Sequence, residues 1–469
     1  MSKPKYAVIV EYIKDKIAKA EWAIGSQIPS QRELASQFQV NRSTVITALD
    51  ELMADGLIEG VAGKGTIITN NTWTLMGRHA AVNWNDNVAL GIHQASMNMV
   101  QEINEAESDP HFIQLSKGEL SPDMFPLQTM KSIVRNVSEK LIPFGYEEPQ
   151  GNRFLRESIA DYLSERGVDV SPSSVLVVSG ALQALHLISI GLLQQGSTVF
   201  LEKPSYVQSL SVFQSAGMTL KPIPMDAEGL RLDMTSPVKQ KGKHVLYTNP
   251  TFHNPTGTLM PEQRRRELMA VCEKQQLPII EDDVYRDLWI DAPPPPSLKS
   301  NDNYGNVLHL GSLSKTLSPG LRIGWVVGPE SVISRLADLK MQSDYGSSTL
   351  SQLVAAEWLA SGAYDDHLGH VRNDLTIRRR AVLEALETYL GDDAEWEIPR
   401  GGFFIWVRLN AAHHTGRLFQ KAYARGIILN PGSIYAAPNG QYIRMSYANA
   451  GLEELEEGIY QLGQLMKQG

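Results

Sequence analysis

Cysteine is nearly missing: Cys272 stands alone in 469 residues. A single thiol excludes an intrachain disulfide framework and any zinc cluster built on cysteine. It falls in a helical pattern, Arg265 to Lys274, which predicts buried filler rather than a reactive thiol. Long apolar runs are missing too. A membrane helix needs roughly 20 such residues, and the longest candidate, Leu187 to Leu193, is interrupted by Ser189 and Gly191. The opening Met1-Ser2-Lys3-Pro4-Lys5 is not followed by the apolar core of a signal peptide. These absences predict a cytoplasmic protein without membrane contact. Nor is charge of one sign dominant: 43 Lys plus Arg against 52 Asp plus Glu give a net charge of −9. That argues against blanket nucleic-acid binding and leaves room for a small local DNA reader. What is present is a globular composition, 42% hydrophobic and 20% charged. At roughly 150 residues per domain the length suggests about three domains.

Residues 1–70 differ from the rest. They hold short amphipathic helices and a glycine-rich hairpin, and Lys3 to Lys64 carries 8 basic and 8 acidic side chains. Residues 71–110 have weak pattern, including Asn83-Trp84-Asn85-Asp86-Asn87, and read as a linker between domains that move relative to each other. Within it Leu90, Ile92, Ala95, Met99 and Ile103 recur at helical spacing and predict a helix over Val88 to Glu107. Across 111–469 strands and helices alternate. Ser174 to Ser179, Thr198 to Leu201, His244 to Tyr247, Leu277 to Ile280 and Val307 to Leu310 read as strands, and Leu182 to Leu193 as a helix. Short apolar strands between helices predict an α/β domain whose large parallel or mixed sheet is covered on both faces. From about Ser331 the chain turns helix-rich, with strands at Gly402 to Arg408 and Tyr442 to Tyr447, as in a smaller C-terminal lobe.

In the first region Val8, Ile9, Tyr12, Ile13 and Ile17 form one apolar helix face. Ser30-Gln31-Arg32-Glu33 is a capping box ahead of Leu34, Ala35 and Phe38. Gln39-Val40-Asn41 is a turn, with Asn41 the expected cap of a helix from Arg42 to about Ala54 that buries Val45, Leu49 and Leu52. Two short helices joined this way form a helix-turn-helix. The first residues of its second helix, here Arg42, Ser43 and Thr44, are those that reach base edges. Leu57 to Ile68 reads as a two-stranded wing whose Lys64 meets phosphate or the minor groove. The strings Pro29-Ser30-Gln31-Arg32-Glu33-Leu34-Ala35, Val40-Asn41-Arg42-Ser43-Thr44-Val45, Gly56-Leu57-Ile58 and Gly63-Lys64-Gly65-Thr66 resemble the GntR-type winged helix. Gln31 and Asn41 stand where that family usually has Glu and Ser. The resemblance implies an all-α/winged-helix domain in which Arg32, Arg42, Thr44 and Lys64 touch double-stranded DNA. Its neutral charge fits two copies on paired half-sites.

The second region collects chemistry at its strand ends. Gly311-Ser312-Leu313-Ser314-Lys315 follows one strand, with Arg322 soon after; Asp282 and Tyr285 end another; Asn249 to Gly257 ends a third. Ser179-Gly180-Ala181-Leu182 ends a fourth and opens a helix, and Tyr206 follows a fifth. Ligands of open parallel sheets gather at such ends. Each residue type suits pyridoxal 5'-phosphate. Lys315 supplies the amine that bonds its aldehyde. Asp282 pairs with a protonated pyridine nitrogen. Tyr285 and Asn254 offer donors to the phenolic oxygen, and Tyr206 a ring to stack on. The amides of Ala181 and Leu182, with Ser312, Ser314 and Arg322, suit the phosphate. No metal is expected.

This second set resembles the fold-type I, class I aminotransferases over about 111 to 469. The resemblance implies that Arg444 clamps a ligand carboxylate and that Gly118 lies near the substrate. It also implies that Tyr146 reaches the phosphate of the partner subunit, hence a homodimer with shared sites. A GntR-type reader joined to such a domain is similar to the MocR/GabR-type regulators. That likeness implies transcription control, with the aminotransferase-like domain sensing an amino acid, an amine or the cofactor itself. The residues leave open a catalytically active class I aminotransferase carrying an incidental DNA-binding domain, a regulator that performs only a half-reaction, and a related activity such as a lyase.

Overall fold

In the first helix, α1 (Lys5–Ala18), the inward side is set by Ile9, Val10, Ile13 and Ile17, all buried. Val8 is 43% exposed, so the stripe lies one residue further round than the sequence pattern suggests. Tyr12 stays half-buried at the rim, edge-on to Trp22 and Phe38. The chain is described here by a computed structural model covering residues 4–61, 64–70, 98–141, 145–232, 244–410, 414–435 and 440–468. It separates into two units, Met1–Ile92 and His93–Gly469.

In the first unit α2 (Gln31–Gln37) begins on the expected capping box. Ser30 Oγ accepts from Glu33 N at 3.3 Å, and Glu33 Oε2 accepts from Ser30 N at 2.5 Å. The following α3 (Arg42–Ala54) buries Val45, Ala48, Leu49 and Leu52. Asn41 precedes it but its side chain makes no capping bond, contrary to expectation. Its carbonyl instead accepts from Thr44 N at 3.0 Å. Strands β1 (Ile58–Val61) and β2 (Gly65–Ile68) pair antiparallel, Ile58 opposite Ile68 and Val61 opposite Gly65. Buried Leu57, Ile58 and Ile68 join the same core as the three helices, which completes a winged helix-turn-helix.

The second unit is built on an eight-stranded sheet. Its strands in chain order are β4 (Val175–Val178), β5 (Thr198–Lys203), β6 (Thr219–Asp226), β7 (Gly229–Leu230), β8 (His244–Thr248), β9 (Ile279–Asp282), β10 (Val307–Ser312) and β11 (Gly324–Val327). The spatial order is β4-β11-β10-β9-β8-β5-β6-β7. Neighbours β10, β9, β8, β5 and β6 run parallel, while β11 is antiparallel to both β4 and β10, so the sheet is mixed. Along β4, Leu176 and Val178 enter one core and Val175 and Val177 another, as period-two alternation between two covered faces requires. The strand expected at Leu277 starts two residues later, after Pro278, which has no amide hydrogen for a ladder.

The smaller lobe carries an antiparallel sheet, β12 (Ala394–Trp396), β13 (Phe404–Leu409), β16 (Tyr442–Ser446) and β15 (Asn430–Pro431) in spatial order. Beside it β14 (Ile427–Ile428) pairs with β3 (Ile113–Gln114). A helix of 28 residues, Ala363–Leu390, joins the two lobes. Tyr364 and Leu368 at its start sit in a core with Trp325 and Trp358, while Leu375, Val382 and Leu386 lie in the core of the smaller lobe. Of the helix expected over Val88 to Glu107, Asn98–Ala106 is helical and 88–97 lie outside the described residues. Cys272 is buried in the helix Glu262–Gln275, and burial pushes its thiol up to about 12, so it is inert filler as expected.

Candidate functional site

β9 ends at Asp282, β10 at Ser312, and β4 just before Ser179 and Gly180. Because β11 is antiparallel, its first residue, Gly324, lies opposite Ser312 and Val178 at this same edge. The intervening connection, with Lys315 and Arg322 on it, is thereby folded over the strand ends. A cavity of about 240 Å³ results. Its wall includes Lys315, Asp282, Tyr285, Asn254, Tyr206, Arg322, Ser312 and Ser314, together with Ala181 and Leu182 at the start of the helix Ala181–Gly191.

Lys315 is the amine of this cavity. Its Nζ donates to Gly118 O at 2.8 Å, and burial pulls the ammonium below the usual lysine range against the opposing charge of Glu119. Asp282 is buried at the floor. Tyr247 OH donates to its Oδ2 at 2.7 Å, while Oδ1 is buried with no partner among the described residues. Burial pushes the carboxyl up to about 6, with Tyr247 acting in the opposite sense. Asn249 braces the floor: its Nδ2 donates to Asp282 O at 2.6 Å and its Oδ1 accepts from Asn254 N at 2.8 Å. Glu202 lies beneath, accepting from Thr248 Oγ1 and, at 3.1 Å, from Asn249 N; burial raises this carboxyl to about 7.

Asn254 is held from both sides. Its Nδ2 donates to Tyr285 OH at 3.1 Å and its Oδ1 accepts from Arg444 at 2.9 Å. Arg444 is buried on β16, donates to Ser116 O at 2.7 Å and stacks 4.1 Å over the Phe404 ring. It is not on the cavity wall but behind Asn254, and its Nε is buried without a partner among the described residues.

On the opposite rim Gly180, at φ +91°, caps the helix Ala181–Gly191. A Cβ there would lie 2.9 Å from the Arg322 guanidinium, so only glycine lets the two approach. Arg322 donates to Ser179 O at 2.6 Å. The two serines differ. Ser312 Oγ donates to Ile323 O at 3.0 Å and accepts from Ser314 N at 3.1 Å, so its proton serves the loop rather than the cavity. Ser314 Oγ is buried with no partner among the described residues. Tyr146 lies outside the cavity, 81% exposed beside Tyr345 with ring centroids 5.1 Å apart.

In the first unit Arg32 is exposed on α2, and Arg42 and Ser43 are exposed at the start of α3, where Arg42 donates to Gln31 Oε1 at 3.1 Å. Thr44 is half-buried one position on, and Lys64 is exposed at the wing tip.

Comparison with known proteins fits both units. Residues 5–68 match the family described as bacterial regulatory proteins, gntR family, and residues 110–462 match aminotransferase class I and II. The HTH-type transcriptional regulator YdfD of Bacillus subtilis is 59% identical over 466 residues, 99% of this chain and 97% of that protein. The HTH-type transcriptional regulator NorG of Staphylococcus aureus is 35% identical over 93% of this chain and 98% of its own length. The chain belongs to the MocR-type transcriptional regulators.

Among solved structures, the second unit of this MocR-type regulator is similar to aminotransferases. The multiple substrate aminotransferase of Thermococcus profundus matches with a TM-score of 0.75 and 29% identity, covering 82% of this chain and 99% of that one. The α-aminoadipate aminotransferase LysN of Thermus thermophilus, solved with N-(5'-phosphopyridoxyl)-L-leucine, matches with a TM-score of 0.75 and 28% identity over 82% of this chain and 99% of its own. As a member of a GntR-type family the regulator binds DNA. No helix among its described residues is long and apolar enough to cross a membrane.

The sequence points to ten residues of the cavity wall, among them Lys315 and Asp282, but not to others that line or brace it. Tyr247, Asn249 and Glu202 carry no local signature of a site, although Tyr247 and Asn249 flank the end of the strand His244–Thr248. A tyrosine inside an apolar strand, facing an aspartate on the next one, was the available signal.

Proposed function

We propose that the second unit binds pyridoxal 5'-phosphate and senses an amino acid or amine through it, and that this event alters DNA binding by the first unit. The observation that carries the proposal is one cavity joining a buried amine, Lys315, to a buried carboxylate, Asp282, whose Oδ1 has no partner among the described residues. The fit extends to the rim, where Ser314 Oγ, the helix start at Ala181 and Arg322 offer a hydroxyl, amides and a cation to a phosphate. When bound, this cofactor supplies an aldehyde for covalent capture of amines and a ring that withdraws electrons.

The chain's own groups divide the remaining work. Asp282 Oδ1 would hold a proton on the ring nitrogen, with Tyr247 keeping the carboxylate oriented. Asn254 and Tyr285 would offer donors to the phenolic oxygen, and Tyr206 a flat face to the ring. Lys315 Nζ, held below the usual lysine range by burial, would be the amine that holds the cofactor's aldehyde and that a ligand amine would compete with. Arg444 recognises the ligand carboxylate by exchanging its bonds to Asn254 and Ser116 for the ligand. That exchange draws the smaller lobe inward, which changes how the linker, residues 71–110, presents the winged helices of 1–70 to paired half-sites. Tyr146, exposed and outside its own cavity, reaches the site of a second subunit in a homodimer. The setting is the cytoplasm.

The test is Lys315→Ala. It should abolish the visible band of lysine-bound cofactor and remove the response of DNA affinity to amino acids while leaving DNA binding itself intact. A normal ligand response in this variant excludes the exchange mechanism. The aminotransferase neighbours favour a second reading, a working transaminase. Steady turnover of an amino acid and a 2-oxo acid above ~1 per second would support it.

A further inference from the structure

Thr316 directly follows Lys315 and is 2% exposed. Its carbonyl and its hydroxyl both end on the helix Ala363–Leu390. Its carbonyl oxygen lies 2.9 Å from His367 Nε2, which must therefore carry a proton and donate. Its hydroxyl lies 2.8 Å from Tyr364 OH. Tyr364 OH also lies 3.2 Å from Asp287 Oδ2. The single Tyr364 proton is thus shared between two acceptors, the Thr316 hydroxyl and Asp287 Oδ2. Asp287 stands on the segment that carries Asp282 and Tyr285, and is further held by Tyr162 OH at 2.7 Å and Arg166 Nε at 3.0 Å. Its own carbonyl accepts from Arg372 Nε, one turn further along the same helix, at 2.8 Å. The loop of the amine and the segment of the acid are thus fastened to one place, the first turns of the helix whose far half lies in the core of the smaller lobe.

We propose that Thr316 and Tyr364 are positioning residues that connect Lys315 to the interlobe helix, so that displacement of the lysine by a ligand is felt along Ala363–Leu390. This rests on the functional reading above and deepens it by naming the route from the amine to the smaller lobe. The geometry suits the task. Tyr364, Asp287 and His367 are all buried, so their bonds are not diluted by water. A hydrogen-bonded helix moves as a rod, so a shift at its first turn reaches its last. Coupling needs a physical link with two arrangements, and the exchange of Lys315 between bonded and free forms supplies them.

Hydrogen–deuterium exchange of the full-length protein tests this, with pyridoxal 5'-phosphate and N-(5'-phosphopyridoxyl)-L-leucine as probes, because the second cannot bond Lys315. In the unsubstituted chain the second probe should change exchange in the peptides spanning 363–390 relative to the first. Tyr364→Phe and Thr316→Val should each lose most of that change, while Thr316→Ser, which keeps the hydroxyl, should retain it. Cofactor absorbance checks the loading of every variant. A fully loaded Tyr364→Phe with the unsubstituted response overturns the proposal, as does an unsubstituted chain that binds both probes and shows no change in 363–390. If Tyr364→Phe does not fold, the Thr316→Val and Thr316→Ser pair decides. A chain that takes up neither probe defeats the cofactor reading, and this inference with it.

Discussion

Tyr247 donates one hydrogen bond to Asp282, on Oδ2, and the other oxygen of that buried carboxyl has no partner among the described residues. A buried acceptor left unmatched destabilises the folded chain. Asp282 lies on the wall of the same cavity as Lys315, which is the position the proposed function requires of an acceptor for a ligand's donor.

The sign of that cost fixes a first prediction. Burial raises Asp282 from the usual 3.8 to about 6. The folded value lies above the unfolded one, so folding disfavours the ionised form. The chain without cofactor then loses stability as pH rises from near 4 to near 6 and stays at the lower level above. Asp282→Asn removes the charge and keeps an acceptor for Tyr247. At pH 8 the cofactor-free variant should resist urea better by roughly 1–3 kcal/mol, while near pH 4.5 the gain should mostly vanish. Cofactor affinity, followed by absorbance titration, should fall roughly tenfold or more. Equal urea midpoints at pH 8 contradict the prediction.

A second concerns packing behind the site. A Cβ on Gly311 would lie 2.3 Å from Trp325 Cε2, with the indole buried opposite it across β10 and β11. Neither a sheet backbone nor a buried indole yields easily, so Gly311→Ala should destabilise the second unit by about 1–3 kcal/mol. Urea denaturation monitored by tryptophan fluorescence measures it, and an unchanged midpoint would show that the sheet relaxes.

The third separates two kinds of DNA contact. Arg42, at the start of α3, is expected to read bases, and Arg42→Ala should cost roughly 1–3 kcal/mol and relax preference at one operator position. Lys64, at the wing tip, is expected to meet phosphate. Lys64→Ala should weaken all sequences alike and lower the log-salt slope by about 1. Titrations on the DNA upstream of this chain's gene, at several salt concentrations, distinguish the two; a sequence-selective loss in Lys64→Ala would reassign it.

How much of this could be read in advance followed from where information is local. The Ser30–Glu33 box lies within one turn and was legible as such. So were the strands that lead to Asp282 and toward Lys315, which are apolar runs between turn signals. Asn41 shows the limit of a local rule: the residue type suits a cap, yet its side chain makes no capping bond. Strand β6 contains Pro222 and Pro224 and so does not read as a strand; it lies near one end of the sheet, where missing amide donors are tolerated. The bonds of Tyr247 to Asp282 and of Tyr364 to Thr316 join residues far apart in sequence, and nothing in either neighbourhood announces its partner. Arg444 illustrates the same point, since its place behind Asn254 depends on how two lobes meet.

The reversed strand β11 has a lasting effect on how such a molecule can vary. Lys315 and Arg322 sit on a single connection, closed at its base where Ser312 faces Gly324. A residue added or lost inside that connection would displace Lys315 and Arg322 together. Variation that leaves this connection undisturbed is found among other residues of the cavity wall, such as Glu119 and Leu210.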